Sequence, residues 1–194
     1  MKERIITEAG HLFNQLGVRT VRLEDVANQL GISKKTLYQH FVDKEALVRQ
    51  VLETQLDENL REANAIHAQT ANPIVSALLI WDRLIRYRQT TNPNMLRDIE
   101  RHYPTVWRMF QTFRATYINI ILVTNFREGI EQGLYRNDLD ETALAWLWAE
   151  ESQLEVPFEG AETAFKHHFV RGLLTQKGLA LYESLAVKQT GTTN

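Results

Sequence analysis

Apolar residues recur every three or four positions along most of the chain, which is the spacing of amphipathic helices. The pattern predicts a first helix that closes at Gly17, a second over LEDVANQL and a short third over KKTLYQHF. A long helix should follow from Lys44 to about Ala68. No segment reads as a strand, so the predicted fold class is all-α.

Proline, glycine and capping residues divide the rest of the chain into further predicted helices. Boundaries fall at Asn72-Pro73, Asn92-Pro93, Pro104 and Gly133. Asp138 and Glu141 form an approximate capping box for the next helix. Beyond Pro157 and Gly160, a final helix of about 25 residues should end near Val187.

The early helices have the layout of a helix-turn-helix, whose second helix lies in the major groove of DNA. Gly31 follows the first of the two helices, where a left-handed residue often ends a helix. Ser33 is then placed to cap the second helix. Leu37 and Phe41 lie four residues apart and should fasten that helix to a core.

The order L-x-x-V-A-x-x-L-G-I-S-K-K-T-L-Y-Q-H-F-x-D-K-E-A-L resembles the N-terminal domain of the TetR family of bacterial transcriptional regulators. The first helix resembles that family's first helix through Ile6, Ala9, Leu12, Phe13 and the closing Gly17. The specific match covers roughly the first quarter of the chain, and the remainder agrees in length and helical layout. Where such proteins often place a Ser or Thr cap before the second helix, this chain has Val21, Arg22 and Leu23. Asp25 is therefore expected to cap that helix in part, and Arg22 to reach a phosphate.

Several side chains of the second helix are candidates for DNA contact. Base contacts are predicted for Lys34, Lys35 and Gln39, because lysine suits guanine O6 and N7 and glutamine suits adenine N6 and N7. The resemblance implies a further contact set of Ser33, Thr36, Tyr38, His40 and Lys44, most of them to phosphate, with Arg22 as an additional candidate. Tyr38 has an alternative interpretation as part of the small core around the helix.

The charge of the chain is unevenly distributed. A net charge of −2 argues at first against a nucleic-acid binder. However, residues 1–50 carry eight Lys or Arg against six Asp or Glu, while the remainder carries fourteen against eighteen. This small, local basic excess favours specific docking through a few placed contacts over a broad basic coat.

Composition and motifs narrow the classes that remain. No cysteine is present for disulfide or thiol chemistry. The charged start MKERIITEAG is unlike a signal peptide, and no apolar run approaches the length of a membrane span. The expected location is therefore the cytoplasm, with no membrane partner.

Catalytic arrangements are incomplete. Glu8 and His11 have the spacing of one half of a di-iron carboxylate site, but the second half is absent. His167 and His168 are adjacent and would project about 100° apart on a helix. Neither a phosphate-binding glycine loop nor a nucleophile elbow is present. No enzymatic activity, cofactor or metal site is therefore expected.

The predicted domains are a helix-turn-helix DNA-binding domain at 1–47, a helical effector-binding and dimerisation domain at 48–187 and a disordered polar tail at 188–194. Residues 139–154 are apolar on more than one face, and Gly172 and Gly178 permit close approach of another backbone. Two such helices from each of two subunits would form a four-helix homodimer interface, as the resemblance also implies. The alternative is that they close the core of a monomer.

A candidate effector-binding interior is suggested by the large aromatic residues Trp81, Trp107, Phe110, Tyr117 and Trp146. The resemblance implies that the interior binds a small molecule, and Arg114 is placed to present a charge to an acidic ligand. The alternative is that the aromatics are core residues and Arg114 a surface arginine.

The predicted function is a ligand-responsive transcriptional regulator, a repressor that an apolar or aromatic small molecule releases from a palindromic double-stranded DNA operator. One alternative is a DNA-binding dimer whose C-terminal domain only dimerises or binds a protein partner. Another is an all-helical enzyme with a chance helix-turn-helix.

Overall fold

The computed structural model describes the backbone of residues 1–151 and 160–190 and the side chains of residues 1–150 and 160–185. The helices in these ranges are α1 (Lys2–Leu16), α2 (Leu23–Gln29), α3 (Lys34–Tyr38), α4 (Lys44–Gln69), α5 (Pro73–Thr90), α6 (Pro93–His102), α7 (Pro104–Tyr117), a π-helical segment (Ile118–Val123), α8 (Thr124–Glu131), α9 (Glu141–Glu151), α10 (Ala161–Leu173) and α11 (Gln176–Thr190). The all-α class is confirmed, since within the same ranges the extended pairing is limited to one isolated bridge between Tyr135 and Leu174. No helix in the described part of the chain has the length and apolar character needed to cross a membrane.

The chain forms two compact units, and unit 1 comprises Met1–Arg61 and Tyr87–Ala115. Its buried core joins α1, α2, α3 and the first part of α4 to Met95, Ile99 and Val106 of α6 and α7. Unit 1 therefore extends well beyond the predicted domain boundary at residue 47, because α6 and α7 supply part of the apolar surface that covers the helix-turn-helix.

Polar contacts also hold α6 within unit 1. The Asp98 carboxylate accepts a hydrogen bond of 2.8 Å from the backbone N–H of Arg19 in the loop after α1. The Asn14 side chain accepts a hydrogen bond of 2.6 Å from the backbone N–H of Asn92 and donates one of 2.8 Å to the carbonyl oxygen of Thr90. These bonds satisfy backbone groups around the start of α6 and place it against the end of α1.

Unit 2 comprises Glu62–Arg86 and the chain from Thr116 onward. Its interior is rich in aromatic rings, with Trp81 and Trp148 meeting edge to face at a centroid distance of 5.0 Å. Asn125 is buried and donates a hydrogen bond of 2.9 Å to the carbonyl oxygen of Pro73. The Tyr135 hydroxyl donates to the Asn125 side-chain oxygen at 3.3 Å, so this buried amide is hydrogen-bonded on both sides.

The prediction of one final helix was wrong, because Leu174 and Thr175 separate α10 from α11. Leu174 is extended, and the Thr175 backbone N–H donates to the carbonyl oxygen of Leu134 at 3.0 Å. The Thr175 hydroxyl accepts from the backbone N–H of Gly178 at 3.1 Å, which caps the start of α11. Thr175, a residue type favoured at helix N-caps, was the local signal for this break.

Several smaller features also differ from the predictions. Helix α3 ends at Tyr38, so Gln39, His40 and Phe41 of the predicted KKTLYQHF helix lie beyond it. Asp140, not Asp138, caps α9 by accepting from the backbone N–H of Ala143 at 2.9 Å, because Asp138 is paired with Arg136 at 2.9 Å. The helix between Pro104 and Gly133 contains a π-helical segment, although it ends just before Gly133 as predicted. Helix α11 continues to Thr190, so 188–190 of the predicted disordered tail are helical, while 191–194 lie outside the described residues.

Candidate nucleic-acid interface

The turn between α2 and α3 is built from contacts between near neighbours in sequence. Gly31 has a φ of 64°, which a glycine adopts without strain. The backbone N–H of Ile32 donates to the carbonyl oxygen of Ala27 at 3.0 Å. The Ser33 hydroxyl accepts from the backbone N–H of Thr36 at 3.1 Å, which confirms Ser33 as the cap of α3. Burial of Leu37 on the inner face of α3 then fixes which side faces solvent.

The outer side of α3 and the two residues that follow it carry most of the predicted DNA contacts. Lys34, Lys35, Tyr38, Gln39 and His40 are exposed. Tyr38 is 48% exposed, so the structure does not support its alternative interpretation as a core residue. Thr36 is half-buried, and its hydroxyl lies 2.8 Å from the Ser33 hydroxyl. The side chains of Ser33 and Thr36 are thus hydrogen-bonded to each other.

Lys34 is paired with an acidic residue that sequence reasoning did not single out. Its Nζ lies 3.0 Å from Oε1 of Glu24 in the first turn of α2. The hydrogen bond from Lys34 lowers the pKa of the Glu24 carboxyl below its usual value. The local signal was weak, since an acidic residue in the first turn of a helix is ordinary.

Two further predicted contacts flank α3. Lys44 at the start of α4 is half-buried, its ammonium donates to the carbonyl oxygen of Arg19 at 3.3 Å, and burial lowers its pKa. Arg22 is exposed at the start of α2. Its backbone N–H donates to the Asp25 carboxylate at 2.7 Å, which confirms Asp25 as a partial cap. The Arg22 side chain is accordingly not what caps this helix.

A short helix that presents cations, an amide and a phenol on one exposed face is suited to the major groove, because these groups match the donors and acceptors on base edges. Fold and surface together define a helix-turn-helix DNA-binding protein. Residues 5–51 match the family model described as bacterial regulatory proteins, tetR family. The chain is 30% identical over 146 residues, 68% of each chain, to the HTH-type transcriptional repressor KstR2 of Mycobacterium tuberculosis.

The chain belongs to the TetR family, and it is therefore a DNA-binding transcriptional regulator and not an enzyme. An HTH-type transcriptional regulator of Staphylococcus aureus is 39% identical over 56 residues, 29% of this chain and 30% of the relative.

Several solved structures have a fold similar to that of this chain. The structure of KstR2 matches with a TM-score of 0.64 and 18% identity, covering 90% of this chain and 95% of that one. A regulator from Saccharomonospora viridis in complex with choline matches with a TM-score of 0.70 and 19% identity, covering 90% and 98%. At such identities the likeness extends to the helical architecture and not to the ligand.

The predicted effector residues do not share one compact unit. Trp81 and Tyr117 are buried in unit 2. Trp107 stacks on Phe110 at a centroid distance of 5.2 Å, and both pack against the core of unit 1. The remaining two are the half-buried Arg114 in unit 1 and Trp146 in unit 2, which is 55% exposed.

The interior of unit 2 contains polar groups that the sequence analysis did not single out. Trp148 is fully buried, and its indole N–H has no hydrogen-bond partner among the described residues. The same is true, within those ranges, of the buried Ser76 hydroxyl. Arg83 is 7% exposed and its Nε donates to the Glu62 carboxylate at 2.8 Å. Burial raises the pKa of Tyr117, and the positive charge of Arg83 opposes that rise.

Proposed function

We propose that the protein is a cytoplasmic, homodimeric repressor that binds a palindromic operator through α3 and leaves it when a small molecule binds within unit 2. The exposed polar face of α3 supports operator binding. The description of KstR2 as a repressor supports the direction of regulation.

The buried indole N–H of Trp148 is the observation that carries the ligand proposal. Buried polar groups in folded proteins are almost always hydrogen-bonded, since an unpaired one costs about 1–3 kcal/mol. Trp148 lies among rings, with Phe126 at 5.7 Å and Phe169 at 5.0 Å between centroids. A ligand that suits this environment is apolar or aromatic and carries one acceptor oxygen or nitrogen for the indole. Neighbours in fold have a choline complex or are described as a gamma-butyrolactone receptor.

Exposed apolar residues on α9 support the homodimer. Trp146 is 55% and Leu147 38% exposed, although both are large and apolar. A second copy that packs on these side chains would remove them from water, at about 25 cal/mol per Å² of apolar surface. Gly172 on α10 is also exposed, and a Cβ added there would meet no other part of the described chain within 4 Å. This leaves room for the backbone of a second copy.

Helix α4 connects effector binding to DNA binding. It begins six residues after α3, and from Glu62 onward it belongs to unit 2. The ion pair between Glu62 and the buried Arg83 ties this end of α4 to α5. A ligand that displaces α5 would thereby move α4. It shifts the equilibrium only by its difference in affinity for the two states, typically about 1–3 kcal/mol or about 5- to 150-fold.

DNA binding is tested by selecting duplexes from a randomised library with the unmodified protein, then comparing affinity for a selected duplex with affinity for a scrambled one. We expect an approximately palindromic sequence and an affinity at least about a thousandfold higher for the selected duplex. Equal affinities for both duplexes would overturn the proposal.

Ligand response is tested by a thermal-shift screen of aromatic and aliphatic carbonyl compounds, followed by titration of each hit with and without operator. We expect operator DNA to weaken ligand binding by the factor by which the ligand weakens operator binding. Trp148→Phe removes the indole N–H but keeps an aromatic ring, and it should reduce ligand affinity. Trp107→Phe in unit 1 should leave ligand affinity unchanged. Equal ligand affinities with and without operator would favour the alternative, in which the C-terminal domain only dimerises or binds a protein partner.

A further inference from the structure

The pair between Glu24 and Lys34 joins the two helices of the helix-turn-helix on their exposed side. Lys34 is the first residue of α3, and Glu24 lies in the first turn of α2. Their charged atoms are 3.0 Å apart, and the side chains are 65% and 34% exposed for Lys34 and Glu24. In this motif the first helix crosses the DNA backbone and the start of the second reaches the bases. In a complex with DNA, the pair would therefore lie close to both the phosphate backbone and the base edges.

An unpaired lysine at this position would favour phosphate. The lysine ammonium is a point charge on a flexible stem, and phosphate oxygens attract it regardless of sequence. Each such contact releases counterions and adds salt dependence to binding of any duplex. A basic residue at the start of α3 thus adds affinity without sequence specificity, unless another residue holds it away from the phosphate backbone of the DNA.

Glu24 supplies that restraint. Its carboxylate occupies one of the three N–H donors of Lys34 and leaves two, which equals the number of acceptors, O6 and N7, on the major-groove edge of guanine. The carboxylate also repels phosphate, and the pair as a whole carries no net charge. When water is excluded from the groove, the attraction between the two groups strengthens.

We propose that Glu24 is a specificity-determining residue of the DNA interface, which holds Lys34 at a base edge and away from the phosphate backbone. The inference rests on operator binding through α3 and adds to it a residue of α2 that itself needs no contact with a base.

The test is Glu24→Gln, which keeps the shape of the side chain and removes its charge. Affinity for a scrambled duplex should rise, and the slope of log affinity against log salt should steepen by about 0.9, the value for one added phosphate contact. The ratio of affinities for selected and scrambled duplexes should fall about five- to tenfold, as expected for loss of one base contact. Both quantities are measured by fluorescence anisotropy over a series of salt concentrations.

Glu100→Gln is the matched control, because Glu100 is an exposed glutamate of α6 whose loss changes the charge of unit 1 equally. It should leave the ratio unchanged. In a Lys34→Met background, Glu24→Gln should no longer lower the ratio or steepen the slope. Two results would overturn the inference while operator binding stands. One is a Glu24→Gln variant with the same affinity ratio and salt slope as Glu100→Gln. The other is an effect of Glu24→Gln that is equally large in the Lys34→Met background. Failure to select any duplex would overturn operator binding itself.

Discussion

Gly31 and Ser33 act through neighbours at most a few residues away. The left-handed glycine turns the chain, and the serine hydroxyl accepts from the N–H three residues on. Gln39 is different, because it is exposed directly after the last residue of α3 and its predicted partner is a base of the operator. The sequence can thus predict the role of a residue even when the partner of that residue lies outside the chain.

Gln39→Ala should relax specificity at one base position, because glutamine makes two hydrogen bonds to adenine that alanine does not. We expect the discrimination at that position to fall by about 1–3 kcal/mol, with little change in the salt dependence. Affinities for a set of operators that each carry one changed base pair measure this. The control is Gln15→Ala on the exposed side of α1. Uniform weakening across all the operators would identify Gln39 as a phosphate contact instead.

Gly178→Ala should destabilise the protein, because a Cβ at this position overlaps the carbonyl oxygen of Leu134, a backbone atom. The expected loss is about 1–3 kcal/mol in the free energy of unfolding. Gly10→Ala on α1 meets only side-chain atoms at ordinary van der Waals distances of 3.5 Å and 3.6 Å, and should be neutral or gain up to about 1 kcal/mol in helix propensity. Urea unfolding at equal protein concentration compares the two variants. Similar stabilities would contradict the close approach at Gly178.

Helices α10 and α11 are separate elements because the chain between them pairs with another segment. Arg136 donates its backbone N–H to the carbonyl oxygen of Leu173 at 2.9 Å, and its guanidinium donates to the carbonyl oxygen of Gly172 at 3.1 Å. His167 of α10 is hydrogen-bonded to the hydroxyl of Tyr182 of α11. Contacts of this kind replace helix hydrogen bonds at the break.

The partial burial of His167 should make stability depend on pH. Burial, with the charges of Lys166 and Arg171, lowers the pKa of His167 below its usual 6.5, and Asp82 opposes this. The unfolded chain then binds more protons, so stability is complete above about pH 6.5 and falls as the pH drops below it.

Thermal unfolding between about pH 7.5 and about pH 5 measures the effect. We expect His167→Gln to flatten the pH dependence, and the neighbouring exposed His168→Gln to retain it. An unchanged slope in His167→Gln would assign the pH dependence to other groups.

At the scale of the whole molecule, α4 belongs to both compact units, while α6 and α7 support the DNA-binding helices from within unit 1. The exposed apolar side chains of α9 belong to unit 2. In the proposed function, unit 1 reads DNA and unit 2 is left for assembly and ligand binding.

Trp146→Gln should weaken the proposed homodimer, because it removes a large apolar side chain from the surface that a second copy would cover. Gly172→Leu should do the same by filling the open space beside α10. Light scattering should show twice 22.5 kDa for the unmodified protein at micromolar concentration and a shift toward 22.5 kDa for both variants. Leu16→Gln is the control, since Leu16 is equally exposed, at 54%, but lies on α1 of unit 1. A monomer with full operator affinity would contradict the dimer.

The sequence by itself determined the helix-turn-helix, including the turn at Gly31, the cap at Ser33 and the inward side of α3. Each of these depends on hydrogen bonds or apolar spacing over at most five residues, so the pattern of residue types is sufficient. The sequence also determined most helix boundaries marked by Pro and Gly, because these residues restrict the backbone wherever they occur.

Only the tertiary structure decided which distant segments meet. Arg19 and Asp98 are 79 residues apart, and Leu134 meets the chain at Thr175 and Gly178, yet no local pattern specifies these partners. The tertiary contacts placed α6 with the DNA-binding helices and split the predicted final helix. The pairing of Glu24 with Lys34 likewise required the angle between α2 and α3. Such contacts depend on which surfaces pack together, and packing is a property of the whole fold and not of any short stretch of chain.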